Sequence, residues 1–359
     1  MTLEKRIESF SELGQILRES LEGKGNRYSS DLEKLINNQQ FGNAWFTPEN
    51  VIMAIKAIAN ELNIENLTKW TGQYPSLSSD YDKINVGIVM AGNIPLAGFH
   101  DFLTVLITGH SLTAKTSSKD PDLIVFISNI LCDINPEFRN RITLTDGLIK
   151  GFDAAIATGS DNSSRYFEYY FGKYPHIFRK NRNSIAIIDG SETHEELARF
   201  GSDVFSYFGL GCRSVSKIYL PTGYDIARFI LSWAEFNPVI NHNKYANNYD
   251  YNKAVCIVNK DEFIDAGYLL FKKSEGISSP VAVLYYEYYD LINNVYLEIE
   301  KMRTKIQCIV SRNEIPFGRA QWPHLWDYAD GTDTVDFLLK KNDQAYCKIK
   351  NIILHPPNY

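Results

Sequence analysis

The sequence predicts an α/β protein of two domains, one of them built on a parallel nucleotide-binding sheet. Three observations carry this expectation. A length of 359 residues exceeds what one core usually holds, so two cores are expected. Hydrophobic residues at 44% and charged residues at 22% give the balance of an ordinary globular chain and not of a disordered one. From about residue 84, short apolar runs alternate with helical patterns, as in parallel strands joined by right-handed crossovers.

Up to about residue 70 the chain reads as helices, with Ile7, Phe10, Leu13 and Leu17 at three- and four-residue intervals and Val51, Ile55 and Ile58 doing likewise. The alternation opens with the strand INVGIVM and then PLAGFHDFLTVLIT, where Pro95 suits a first helical turn and Gly109 a helix end. SLTAKTS is the next strand, and Asp120-Pro121 offers an N-cap followed by Pro at the first position of the next helix. RITLT and AAIAT are strands, and the turn Gly159-Ser160-Asp161-Asn162 leads into an aromatic helix over 163–171. After SIAIID come a helix over 193–208, a tight Gly209-Leu210-Gly211-Cys212 turn and the strand VSKIYL ending at Pro221. A helix over 227–236 and a strand over 254–258 continue the pattern, with the Asn- and Tyr-rich 237–253 as a loop between them. The expected division is 1–188 for the N-terminal helices and nucleotide-binding domain and 189–319 for a catalytic thiol domain, with 320–359 a candidate to return to the first.

Charge and cysteine usage exclude several classes. A net charge of −6 supplies no general electrostatic reason to bind nucleic acid or an anionic membrane. The five cysteines are odd in number and scattered, without a Cys-x-x-Cys pair, so reduced thiols in a cytoplasmic protein are expected, with no metal site. The N-terminal MTLEKRIESFSELGQIL lacks the continuous apolar core of a signal peptide. Residues 85–110 are apolar enough to raise the question of a membrane span, but Asn93, Pro95, His100 and Asp101 interrupt them. An Asp at a bilayer centre costs roughly 2.5–3.5 kcal/mol on insertion scales, so a buried strand followed by a helix is expected and no span.

Cys212 stands out chemically. Gly209 and Gly211 let backbone N–H groups approach a reacting atom, and Arg213 places a cation beside a thiol, which favours the nucleophilic thiolate. The competing role of a lone cysteine is that of a small buried hydrophobe.

Other segments extend this through a family resemblance. AGNIPLAGFHDFLTVLITGHSLTAKTSSKDP resembles the aldehyde dehydrogenase superfamily segment in which a strand delivers an Asn before a Pro-started helix and the next strand ends at a Lys; the matching residues are Asn93, Pro95 and Lys115. ATGS at 157–160 is similar to the turn that opens the helix beneath the cofactor pyrophosphate, and GLGCRS to the nucleophile turn. With SSRYFEYYF, FGLGCRSVSKIYLP and QWPHLWDYADGTDTVDFL, the resemblance narrows to the LuxC-type acyl-CoA reductases, which make aldehyde for bacterial luminescence. It covers most of the chain from about residue 80 onward.

The resemblance implies an aldehyde-dehydrogenase-like fold with a Rossmann-like cofactor domain and an α/β catalytic domain. It implies reduction of an acyl-CoA, expected to be long-chain, to aldehyde by NADPH, with NADH as the alternative cofactor. It also implies a homo-oligomer and an acyl-protein synthetase as partner. Cys212 would carry the acyl group, and Asn93 with the Cys212 amide would stabilise the oxyanion. Lys115 would reach the adenosine ribose, and Thr158, Gly159 and Ser160 would present a helix N-terminus to the pyrophosphate. Ordinary roles compete for each: a turn residue before Pro95, a solvated strand-end lysine and a simple N-cap.

The departures from the superfamily pattern carry information. Where aldehyde-oxidising members keep a water-activating Glu, this chain has HIFRKNRNSIAII, with no carboxylate. Thioester reduction needs no such base, whereas an aldehyde dehydrogenase running toward acid does. Arg179, Lys180 and Arg182 are either phosphate ligands or a solvated charge run. Near Ser279-Pro280-Val281, the position of the usual nicotinamide-ribose Glu holds Gly276, with Glu275 one residue away. That contact is therefore open, and a catalytically silent binding or scaffold subunit remains a rival. His100, His110 and His176 lack metal-like spacing and read as structural, and the aromatic runs 166–171 and 285–289 are core or the wall of an acyl tunnel.

Overall fold

The computed structural model describes residues 1–79, 81–159 and 161–340. The chain divides into two compact units: of the described residues, Met1–Asn43, Thr47–Lys180 and 324–340 form the first, and Ala44–Phe46 with Asn181–Pro323 the second. The change of unit falls after Lys180, ahead of residue 189, because the strand that follows pairs into the second sheet.

Four helices open the first unit: α1 (Leu3–Leu21), α2 (Ser29–Gly42), α3 (Pro48–Glu61) and α4 (Ile64–Thr71). Each of α1, α3 and α4 starts where the sequence supplies a cap, the side chains of Thr2, Thr47 and Asn63 accepting amides of their first turns. Phe10, Leu13 and Leu17 of α1 are fully buried. Gly14 lies so near the end of α3 that a Cβ there would fall 2.1 Å from the Leu62 carbonyl oxygen.

The sheet follows: β1 (Asn85–Val89), α5 (Phe99–Ile107), β2 (Ser111–Lys115), α6 (Leu123–Ile134), β3 (Ile142–Thr145), β4 (Ala154–Thr158), α7 (Asp161–Phe171) and β5 (His176–Arg179). All five strands are parallel, in the order β3-β2-β1-β4-β5. β1 and β4 are buried almost throughout, which is why they read as continuous apolar runs. Two helix starts differ from expectation. α5 begins at Phe99, since Pro95 occupies the preceding turn, and α6 begins at Leu123 after Asp122, leaving Asp120 for another task.

The second unit holds β6 (Asn183–Ile187), α8 (His194–Phe205), β7 (Val215–Pro221), α9 (Ala227–Ser232), α10 (Asn243–Asn259), β8 (Phe263–Asp265), β9 (Leu270–Lys273), β10 (Val283–Tyr289), α11 (Ile292–Lys301) and β11 (Ile306–Val310). Its sheet runs β11-β6-β7-β10-β9-β8, parallel except for the β8–β9 pair. A capping box starts α8: Thr193 Oγ1 takes the Glu196 amide at 3.2 Å, and Glu196 takes the Thr193 amide at 2.8 Å.

The expected loop at 237–253 and strand at 254–258 are both corrected: most of that span is α10. Its buried residues Tyr245, Tyr249, Asn252 and Cys256 are spaced by four, three and four, one helical face whose aromatic and amide side chains do not stand out as apolar. The expected helix over 227–236 ends at Ser232 and passes into a 3-10 segment, Ala234–Asn241, that contains Pro238. The chain then returns to the first unit and closes its described part with α12 (Thr334–Lys340). No helix among the described residues is long and apolar enough to cross a membrane.

Candidate active site

In the first unit the strand order reverses between β1 and β4, the place where open parallel sheets bind ligands outside their carboxyl ends. Val89 is in register with Lys115 on one side and with Ala157 on the other, so β1, β2 and β4 end level. The segments leaving these ends carry Asn93, Lys115 and Thr158-Gly159. Asn93 is exposed, and Lys115 and Thr158 are half-exposed. Sequence reading and topology therefore bring these four residues to one sheet edge. Ser160 lies outside the described residues.

The loop after β1 is built tightly around Asn93. A Cβ on Gly92 would fall 2.3 Å from Ser117 Oγ, and Leu96 has a left-handed backbone with φ +58°. Its N–H donates to Asp120 Oδ2 at 2.7 Å. Asp120, expected as a helix cap, instead ties the loop after β1 to the loop after β2. Burial pushes its carboxyl up to about 6, against the pull of the Leu96 amide. At the end of β4, a Cβ on Gly159 would lie 2.9 Å from the Phe167 ring of α7. Only glycine leaves room for α7 to begin directly behind the turn, and the Gly159 N–H donates to the Arg179 carbonyl at 3.2 Å.

Arg179 is neither a phosphate ligand nor solvated. It is buried at the end of β5, where Nη2 and Nε donate to Asp101 of α5 at 2.7 and 3.2 Å. Its other donors reach the Ala329 carbonyl and Thr334 Oγ1, both at 2.8 Å. The run QWPHLWDYADGTDTVDFL supplies these partners and more: Tyr328 accepts from Trp70 Nε1 at 2.7 Å, and His100 Nε2 lies 2.8 Å from the Leu325 carbonyl. Burial lowers the His100 pKa. The imidazole is therefore neutral, donating through Nε2, and is structural as expected. His110 and His176 likewise bond backbone groups, the Ile84 amide and the Tyr174 carbonyl.

In the second unit Cys212 is exposed, between α8 and β7. The approach is strained: Tyr207, Phe208 and Gly209 have φ of +52°, +57° and +76° in succession. Only the glycine adopts this freely, and each of the other two costs about 1 kcal/mol or more. Phe208 is packed on His242 and Trp45, with ring centroids at 4.3 and 5.3 Å. The Leu210 amide to Tyr207 carbonyl bond at 3.0 Å and the Ser214 amide to Gly211 carbonyl bond at 3.0 Å close two turns with Cys212 in the second. Ser184 Oγ of β6 donates to the Cys212 carbonyl at 2.9 Å.

Arg213 does not simply face the thiol; its Nε donates to the Ala320 carbonyl. That loop is held in turn by the fully buried Asp203 of α8, which takes the Gly318 and Ala320 amides at 2.6 and 2.8 Å. Burial pushes the Asp203 carboxyl up to about 7, although both amides and Arg213 pull it down. Sequence reading missed Ser184, Asp203 and Asp120 as supports of the site. Ser184 alone left a trace, as a hydroxyl opening the otherwise apolar SIAII of β6. Glu275 and Gly276 are both exposed, and the buried Lys217 donates to the Glu275 carbonyl at 3.1 Å and pairs with Glu287 at 2.6 Å.

Two sheets of this order, one with a ligand-type reversal and one with an exposed thiol before a central strand, make up the fold of the aldehyde dehydrogenases. Aldehyde dehydrogenase 21 from Physcomitrella patens, solved with the product succinate, matches 87% of this chain and 74% of its own at 12% identity with a TM-score of 0.59. The Mycobacterium tuberculosis aldehyde dehydrogenase complexed with NAD+ matches 83% and 71% at 13% identity with a TM-score of 0.58. No family model matches the sequence.

In sequence, the chain is similar to the LuxC-type long-chain acyl-protein thioester reductases. The protein of that name from Aliivibrio fischeri is 24% identical over 201 residues, 50% of this chain and 41% of its own length. The one from Photorhabdus laumondii subsp. laumondii is 20% identical over 278 residues, 69% and 58%. The chain thus spans about half the length of the curated relatives it matches.

Proposed function

We propose that this chain is a nicotinamide-dependent reductase of long-chain acyl thioesters, with Cys212 as acyl carrier. The observation that carries the reading is the exposed Cys212 on a strained, glycine-flanked turn in a chain of this fold. The names of the sequence relatives support a thioester substrate, and the lack of a carboxylate in HIFRKNRNSIAII favours reduction over hydrolysis to acid.

In this reading the Cys212 thiolate attacks the thioester carbonyl carbon. Negative charge develops on the carbonyl oxygen, where the Cys212 amide donates a hydrogen bond, and the family resemblance implies the Asn93 side-chain amide as a further donor. The tetrahedral adduct collapses, the CoA or carrier thiolate leaves, and the acyl group stays on Sγ. A nicotinamide, NADPH in this proposal, would supply hydride when bound, and with it the acyl group would be released as aldehyde. Cys212 Sγ then leaves as thiolate and is free for the next turnover.

The residues present fit such a cofactor: the N-terminus of α7, directly behind Gly159 where a side chain has no room, suits a pyrophosphate, and Lys115 at the level of Val89 suits the adenosine ribose or its 2′-phosphate. The acyl donor is either acyl-CoA or an acylated synthetase, and a homo-oligomer is part of the proposal.

The test is product analysis with acyl-CoAs of several chain lengths and NADPH or NADH. Aldehyde formed by the wild type and not by Cys212→Ala supports the reading. Acid formed from aldehyde and NADP+ or NAD+, with no aldehyde in the other direction, overturns it.

A further inference from the structure

We infer that Ser184 is the positioning residue of the Cys212 turn: its hydroxyl, held in the sheet, fixes the peptide that follows the nucleophile. The inference rests on the reading of Cys212 as acyl carrier and adds a residue to which neither the family resemblance nor the motifs assign a role.

Ser184 has no solvent exposure and is the second residue of β6, the strand next to β7. Its Oγ donates to the Cys212 carbonyl at 2.9 Å and accepts the Cys308 N–H of β11 at 3.2 Å. Cys308 Sγ also lies 2.9 Å from Ser184 Oγ. The hydroxyl thus sits where two strands of the sheet meet the turn, anchored by a backbone amide and aimed at a backbone carbonyl. A serine oxygen has one proton and two lone pairs, so an amide donor behind it leaves the proton free to point at Cys212.

This contact matters because the turn is otherwise under stress. Tyr207 and Phe208 hold left-handed backbone just ahead of it, and Gly209 and Gly211 are free to relax. On the far side, Arg213 is fastened to the Ala320 carbonyl and Ser214 Oγ accepts from Gln321 Nε2 at 3.2 Å. Between these anchors, Cys212 is fixed by Ser184. Without that bond the carbonyl of Cys212 loses the donor that the sheet supplies, and the turn that carries Sγ loses one of its restraints. A displacement of about 1 Å at a reacting group can cost about a hundredfold in rate.

The experiment compares wild type, Ser184→Ala, Ser184→Thr and Cys308→Ala in two assays on the full chain. The first is acylation by acyl-CoA followed by intact mass, giving a maximal rate and a half-saturation concentration. The second is peptide-resolved alkylation of Cys212 by iodoacetamide across pH, which needs no substrate site. Positioning by Ser184 predicts that the alanine variant loses about tenfold or more in maximal acylation rate with half-saturation unchanged, and that its alkylation profile shifts along pH. Threonine, which keeps the hydroxyl, restores most of the rate. Cys308→Ala keeps the Ser184 hydroxyl and acylates within about twofold of wild type. Should Ser184→Ala not fold, a loss in Cys308→Ala as large as about tenfold would show that core packing governs the turn and overturn the inference. Equal rates and alkylation profiles for a folded Ser184→Ala and wild type overturn it too. If wild type itself takes no acyl group while its Cys212 alkylates normally, the acyl-carrier reading is what has failed.

Discussion

Asp203 has no contact with solvent, and its two oxygens take the Gly318 and Ala320 amides behind the Cys212 turn. With its carboxyl pushed up to about 7 by burial, against about 3.9 in an unfolded chain, the folded state holds a proton that the unfolded state releases between those values. The stabilising contribution is therefore full below about pH 4 and is lost as pH rises through about 7. Asp120, pushed up to about 6, acts in the same sense over a narrower window. Denaturant midpoints between pH 4 and 7 should fall with rising pH by this contribution, and Asp203→Asn should flatten the slope. An unchanged slope in that variant would locate the dependence elsewhere. With Asn93 as the proposed oxyanion donor, removing its amide should cost about 10² to 10³ in acylation rate. Asn93→Ala compared with wild type in rapid-quench acylation reads this directly, and a loss under about threefold would remove Asn93 from the mechanism.

Among the elements, legibility followed chemistry. β1, β4 and β6 were readable because parallel strands buried on both faces are mostly apolar runs, and α8 because Thr193 and Glu196 form a capping box. The Asn93, Lys115 and Cys212 segments were readable because their glycines and proline mark turns at strand ends. α10 was not, since its buried face is Tyr245, Tyr249, Asn252 and Cys256, residues that resemble a polar loop until their spacing is set against a sheet. The Arg179 role was hidden for a related reason: its partners Asp101, Ala329 and Thr334 are far away in sequence, so only the fold reveals a buried pair in what reads as a surface charge run. Breaking that pair from one side leaves a buried charge, so Asp101→Asn or Arg179→Met should cost about 3–5 kcal/mol in chemical denaturation. α10 ends on Lys260 with a left-handed φ of +58°, where glycine carries no steric penalty. Lys260→Gly should therefore raise stability by up to about 1 kcal/mol, and a loss of that size would show that the lysine side chain has an unrecognised role.

At the scale of the whole molecule, the chain leaves its first unit and comes back. The return segment after Pro323 supplies the Leu325 carbonyl to His100, the Tyr328 hydroxyl to Trp70 and Tyr74, and Thr334 to Arg179. A run that carries the family resemblance in sequence thus serves to close the first unit. A chain ending at Pro323 should lose hydrogen-exchange protection in α4, α5 and β5 while β6, β7 and β10 keep theirs; uniform protection in the shortened chain would refute this role.

The central claim, that Cys212 carries the acyl group, is tested most directly by intact mass after mixing the protein with acyl-CoAs of several chain lengths in the absence of cofactor. The account predicts one acyl-sized adduct on the wild type, absent in Cys212→Ala and discharged as aldehyde when NADPH is added. No adduct at any chain length, or equal labelling of the alanine variant, would contradict it and leave the fold serving as a binding scaffold.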